Sequence, residues 1–227
     1  VGRPAPLVRL IVVAVGTIYT AALYLSGVTL APALARALAM LPLLAAVLLW
    51  LWDAWLWRLP GLQSAAHRPR LDGLWRVTYH PTADSHIPEG GSRGPITGYF
   101  VIRQSFWFVT VRSYTKQSTS DSRSFYWDLR PGNDVSTLTF TYENSPKESE
   151  THRSMRHFGT SQLDPTSLQP KEIVGRYFTD RYTKGDLSAE LISRTTGHAS
   201  FESAALHAAG QTTRSKIVDE NAGQLVD

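Results

Sequence analysis

The chain has 227 residues, a formal net charge of +4 and no cysteine. That length allows one or two domains. The missing cysteines exclude a disulfide framework and any thiolate or Cys-ligated metal chemistry, while the modest positive charge fits an anionic ligand or lipid without requiring either. No Asn-x-Ser/Thr sequon occurs, because Asn144-Ser145 is followed by Pro146. Both absences fit a cytosolic domain.

The first sixty or so residues are almost continuously apolar. Leu10–Leu25 (LIVVAVGTIYTAALYL) reads as a first transmembrane span, with Arg9 at its mouth able to snorkel. A connector of about Ser26 to Pro32 follows, and a second span runs from about Ala33 to Trp57. The uncharged part of that second span, Ala37–Trp52, is only about 24 Å long at 1.5 Å per residue, so flanking residues must help it cross a ~30 Å core. A signal peptide competes for the first segment, but a second apolar segment follows where a polar mature start would be needed. Arg3 and Arg9 precede the first span and Arg58, His67, Arg68 and Arg70 follow the second, with only Arg36 near the connector. The positive-inside rule then places both ends in the cytoplasm. Trp50, Trp52, Trp55 and Trp57 read as an interfacial aromatic belt, Asp53 as a hydrated carboxylate at that interface, and Pro42 as a possible kink.

After a linker, Pro60–Pro69, the pattern changes to period two. Eight strands are expected: about Leu74–His80, Thr97–Gln104, Phe106–Ser113, Ser122–Leu129, Ser136–Asn144, Arg153–Leu163, Val174–Arg181 and Leu187–Arg194. Short strands with hairpin signals such as Pro131-Gly132-Asn133-Asp134 and Lys184-Gly185-Asp186 argue for an up-and-down antiparallel β-barrel of eight strands, minimal and lipocalin-like. A barrel of that size is filled by side chains or holds one small ligand. Alternation puts Trp75, Val77 and Tyr79 on one face, with Phe100, Ile102 and Gln104, then Leu138, Phe140, Tyr142 and Asn144, then Gly175, Tyr177, Thr179 and Arg181. Buried polar groups are costly unless paired, so a lumen of this composition suits a polar, flat ligand; a wet barrel mouth, or a register inverted by one residue, would give the same pattern. The long segment Pro81–Pro95 is the lid candidate. The domain organisation is then a two-helix hairpin over 7–58, a sensing barrel over 67–195 and a disordered tail over 196–227.

Gly73-Leu74-Trp75 resembles the opening motif of lipocalins. Arg181 could meet a phosphate bidentately, or cap the barrel by stacking on Trp75. No nucleophile–base–orienter set, His-Glu-x-x-His motif or Gly-rich phosphate loop is present, and His152 and His157 are wrongly spaced to ligate from one strand face. Neither catalysis nor a metal is expected.

Taken in order, the two apolar helices, Leu71-Asp-Gly-Leu-Trp75, Gly98-Tyr-Phe-Val-Ile-Arg-Gln104, the Ser-rich Ser118–Ser124, Tyr142-Glu-Asn-Ser-Pro146, His157-Phe-Gly-Thr160, Gly175-Arg-Tyr-Phe-Thr-Asp-Arg181 and Thr183-Lys-Gly185 resemble the two-transmembrane, β-strand-rich effectors associated with bacterial CD-NTases in cyclic-oligonucleotide antiphage signalling (CBASS). The resemblance covers roughly Leu7–Arg194. It implies a barrel that binds a cyclic dinucleotide made by a cognate CD-NTase, followed by homo-oligomerisation and disruption of the inner membrane, so that the infected cell stops before phage spreads (abortive infection). The protein would sit in the inner membrane as a multi-pass protein, with its N-terminus and barrel cytoplasmic, and would bind no DNA or RNA polymer. The pocket positions carried over are Tyr142, Asn144, His157, Thr160, Tyr177, Thr179 and Arg181. Phe178 departs from the pattern, where the family has Trp. The alternatives are a membrane-anchored lipocalin-like barrel carrying an apolar ligand, and a structural adaptor with a filled barrel.

Overall fold

The structure, a computed structural model, describes residues 5–27, 32–87, 91–152 and 154–223. It forms two compact units. One is built from the N-terminal helices with Ser105–Phe108, the other from the remainder of the chain.

The helical unit contains α1 (Ala5–Leu25), α2 (Pro32–Ala54), a 3-10 turn at Leu56–Arg58, and the start of α3 (Pro60–Ala66). In α1 the hydroxyls of Thr17 and Thr20 fold back onto the carbonyls of Val13 and Gly16, at 2.9 and 2.8 Å. A Cβ at Gly16 would sit 3.1 Å from Pro42 Cβ, so α1 meets α2 at that proline, which α2 accommodates without breaking. Among the described residues no helix is long and apolar enough to cross a membrane. This overturns the expected transmembrane hairpin, and with it the multi-pass inner-membrane placement. α1 and α2 run 21 and 23 residues, but Arg9 falls inside α1 and Arg36 and Asp53 inside α2, so the uncharged stretch of each is about 24 Å, short of a ~30 Å hydrocarbon core. Arg3 and most of the connector, residues 28–31, lie outside the described residues.

Asp53, partly exposed, also anchors the 105–108 segment. Its Oδ1 accepts the Trp107 N–H at 3.0 Å and its carbonyl accepts the Phe106 N–H at 3.1 Å. The Phe106 ring packs edge-on against Trp52 (5.2 Å) and lies 6.2 Å from the buried Trp57. Part of the supposed aromatic belt is therefore a packed cluster.

The second unit is a closed antiparallel barrel in which each strand pairs with the next and β8 closes on β1. The strands are β1 (Gly73–Pro81), β2 (Ile96–Gln104), β3 (Val109–Tyr114), β4 (Ser118–Asp128), β5 (Thr137–Pro146), β6 (His157–Pro165), β7 (Glu172–Thr179) and β8 (Lys184–Ser193). The up-and-down barrel read from the alternation is present. Its third strand starts later than expected because Ser105 N–H donates to the Phe108 carbonyl, turning those residues away from the ladder. The fourth starts earlier because the serine run from Ser118 is itself strand. The sixth starts at His157; Arg153 lies outside the described residues.

One end of the barrel is plugged by Leu71, Trp75, Ile102, Leu138, Leu163 and Ile173, all buried. Trp75 Nε1 donates to the Leu71 carbonyl (2.8 Å), Leu71 N–H donates to Gln104 Oε1 (2.7 Å) and Gln104 Nε2 donates to the Pro69 carbonyl (2.8 Å), so the buried amide at this end is satisfied. Arg194, not Arg181, closes this end, donating to the carbonyls of Arg70 and Asp72. Gly73 explains its place in the Gly-x-Trp motif: its φ is +140° and a Cβ there would lie 2.4 Å from the Ser193 carbonyl, where β8 meets β1.

The segment expected to be a disordered tail forms α4 (Phe201–Gly223) instead. Ser200 and Ser203 bond reciprocally at its start, each hydroxyl accepting the other's N–H. Ala204 and Ala208, one turn apart, are buried against Leu74, Tyr99, Val101 and Tyr114 on the outer face of the barrel. Glu202 pairs with Lys147, and Tyr114 Oη donates to the His198 carbonyl. An Ala208→Asp substitution forces an unpaired carboxylate into that contact. We expect α4 amides to lose hydrogen-exchange protection while the amides of β5 and β6 keep theirs, as read by mass spectrometry.

Candidate ligand-binding site in the barrel lumen

At the end opposite Trp75 the barrel stays open. The cavity there measures about 230 Å³. Its floor is aromatic because β1, β2, β5 and β7 each turn a ring inward at the same level. Tyr79 packs edge-on against Phe100 (6.2 Å) and Tyr177 (5.3 Å), Phe100 against Phe140 (6.2 Å), and Phe140 lies 6.2 Å from Tyr142. Tyr79 Oη shares a hydrogen bond with Ser113 Oγ at 3.0 Å. Burial pushes the phenols of Tyr79 and Tyr142 well above their ordinary range, and that of Tyr177 up to about 12. The floor is thus uncharged, amphipathic ring surface.

Above it the wall is polar. Asn144 Nδ2 donates to Ser118 Oγ and Ser120 Oγ, at 3.0 Å each, while its Oδ1 is buried without a hydrogen-bond partner. Arg181 Nη1 donates to Ser154 Oγ at 2.9 Å, and its Nε is likewise buried and unpartnered. Among the described residues lining the cavity, Arg181 is the one cation of fixed charge. His157 pairs through Nδ1 with the Met155 carbonyl at 3.1 Å. Burial, aided by the Arg181 charge, holds its imidazole below the usual histidine range despite that bond, so it is neutral at pH 7.

The structure brings Tyr142, Asn144, His157, Tyr177, Thr179 and Arg181 to this cavity. Thr160 is not among them. It stands opposite Phe178 in the ladder and is an odd number of residues from His157, so the pleat turns it to the other face; Ser161 takes the inward place. Thr179 lines the wall, but its Oγ1 already accepts the N–H groups of Arg181 and Thr183. Arg181 lies at the far end from Trp75, which removes the stacking cap. Phe178, where the resemblance expects Trp, points outward and is 57% exposed. Tyr79, Ser113, Ser118 and Ser120 also line the cavity and are not among the positions expected from sequence. Tyr79 was on the inward face, and the serines were signalled by Ser118–Ser124 but carry no apolar alternation.

Gly159 is what lets Tyr142 lie across β6, since a Cβ there would come within 2.4 Å of the Tyr142 hydroxyl. A Gly159→Ala variant should push that ring into the cavity and, because its Cβ would also lie 2.8 Å from the Phe178 carbonyl, strain the β6–β7 pairing; calorimetric titration should show binding weakened by tenfold or more, and the melting temperature should fall. For His157 the folded group resists protonation, so the unfolded chain binds the proton first. Stability should therefore fall as pH drops below about 6.5. Denaturant melts between pH 7.5 and 5 should show a shallower fall in His157→Gln.

Among the described residues no three His, Asp or Glu side chains come together to hold a metal ion. A search of curated proteins finds no match to this chain. A scan against protein-family models matches residues 66–190, more than half of the chain and all of β1–β7, to the description "Cap15, cyclic dinucleotide receptor domain". A guanidinium above a floor of edge-on aromatic rings suits such a ligand, and a receptor domain has a binding role. The chain belongs to the Cap15 cyclic dinucleotide receptor family of CBASS-type defence effectors.

Proposed function

We propose that the open lumen is the dinucleotide site, and that Arg181 takes a ligand phosphate, a base stacks on the Tyr142–Tyr177 side of the floor, and Asn144 accepts a hydrogen bond from a base edge or sugar hydroxyl. The carrying observation is the buried, unpartnered Arg181 Nε at the cavity wall. A buried donor without an acceptor costs about 1–3 kcal/mol, and a phosphate oxygen removes that cost. Base–ring stacking contributes roughly 1–3 kcal/mol per base. His157 adds a neutral ring, and Thr179 contributes by holding the Arg181 turn.

An apolar ligand of lipocalin type would leave Arg181 Nε and Asn144 Oδ1 buried and unpaired, and a filled structural barrel would have no such cavity. Both readings are weaker for that reason.

The output we propose is ligand-driven self-association that ends in abortive infection. The support is an exposed apolar rim on the outer face beside Arg181, where Phe158 is 56% exposed and Phe178, Met155 and Tyr182 are also exposed. To drive assembly, the ligand must bind the associated state more tightly than the free one.

The test is thermal shift and calorimetry of the full chain with cyclic di-AMP, cyclic di-GMP and cyclic GMP–AMP. One of them should raise the melting temperature selectively. Arg181→Ala should then lose about 10- to 100-fold in affinity, the scale of a hydrogen bond to a charged group. Unchanged affinity in a folded Arg181→Ala protein removes the arginine from the phosphate role.

A further inference from the structure

The turn that carries Arg181 is held from outside the barrel by the segment that follows β1. Thr82 N–H donates to the Lys184 carbonyl (3.1 Å), His86 N–H donates to the Tyr182 carbonyl (3.1 Å), and the Thr183 hydroxyl donates to the His86 carbonyl (3.0 Å). Between these, Lys184 N–H donates to Ser85 Oγ at 3.0 Å, and the Lys184 ammonium pairs with Asp84 at 2.6 Å. Ser85 is 3% exposed, and its own N–H donates to the Thr82 carbonyl, a tight turn that aims its hydroxyl at the β8 backbone.

The Arg181 turn needs such a hold. Tyr182 sits at φ +62°, a left-handed conformation that a bulky residue adopts only when its surroundings impose it. From within, Thr179 Oγ1 fixes the turn by accepting two of its N–H groups. From the β6 side, Phe158 and Asp180 bond reciprocally: Asp180 N–H donates to the Phe158 carbonyl and Phe158 N–H donates to the Asp180 carboxylate. Among the described residues, 82–86 supply the hydrogen bonds to the Tyr182–Lys184 stretch from the β1 side. Residues 88–90, within the Pro81–Pro95 segment read from sequence as a lid, lie outside the described residues.

We infer that Ser85 is a positioning residue for Arg181. It sets the β7–β8 turn so that the guanidinium is presented to the ligand, and it makes residues 82–86 and the turn one hydrogen-bonded block. This rests on the reading that Arg181 meets a ligand phosphate. Loss of the Ser85 hydroxyl orphans the Lys184 N–H, frees the turn and lowers affinity through Arg181 rather than through any contact of Ser85 with ligand.

The experiment is a double-mutant cycle on the full chain with Ser85→Ala, Arg181→Ala and both together, using whichever of cyclic di-AMP, cyclic di-GMP or cyclic GMP–AMP binds the parent most tightly. Ser85→Ala should weaken binding about five- to twentyfold through faster dissociation, Ser85→Thr should restore it, and Ser85→Ala should cost nothing further once Arg181 is Ala. An equal loss in both backgrounds, or no loss, overturns the inference. Hydrogen exchange of the ligand-free protein supplies a second, independent reading. Ser85→Ala should speed exchange at the amides of Thr183 and Lys184 but not in β5; unchanged exchange there also overturns the inference. If the parent binds none of the three nucleotides while the exchange coupling holds, the ligand assignment has failed and the positioning has not.

Discussion

Closure of eight strands into a ring is the constraint from which the rest of the second unit follows. Once β8 pairs with β1, no strand has a free edge, and parity, reset at the bulges by Leu74 and Ser122, commits side chains to the lumen or to the outside. A slip of one residue anywhere would exchange the two sets. Closure depends on close backbone approach where β8 meets β1, and Gly73 supplies it by having no side chain. Parity then decides what the lumen contains, and the lumen decides what the protein can bind.

Buried polar atoms without a hydrogen-bond partner occur toward both ends, Trp127 Nε1 beside the Leu138 plug as well as Asn144 Oδ1 and Arg181 Nε at the open end. At the plugged end the Gln104 amide, the Trp75 indole and the Leu71 N–H all find partners within the chain. At the open end Arg181 Nε and Asn144 Oδ1 do not. What sets the open end apart is its floor of rings, where the plugged end is mostly aliphatic. The family match gives the chemical class of the domain's ligand, a cyclic dinucleotide.

Much of the barrel was legible because its inward positions are apolar or aromatic at strict period two, as in Trp75-Val77-Tyr79 and Leu138-Phe140-Tyr142. The same rule identified Tyr142, Asn144, Tyr177 and Arg181. It could not place Thr160, which was joined to His157 by closeness in sequence rather than by parity. The serines of β3 and β4 escaped because a polar wall has no hydrophobic period to detect. α4 escaped because its buried stripe is alanine, which the composition of a disordered tail also contains; its fit against Tyr99 and Tyr114 is visible only when the strands are in place. The membrane reading weighed near-continuous apolarity above the charges at Arg9, Arg36 and Asp53, which cut the uncharged part of each helix to about 24 Å.

The docking of α4 makes the barrel mechanically uneven. Where α4 lies, the wall of β1–β3 has packed side chains on both faces and is locally two layers thick, whereas the wall carrying Phe158 and Phe178 is a single layer with its rings in solvent. Bending stiffness rises with thickness. The compliant side of the ring is therefore the side that holds Tyr142, His157 and Arg181, and any change of shape that a ligand imposes is concentrated there.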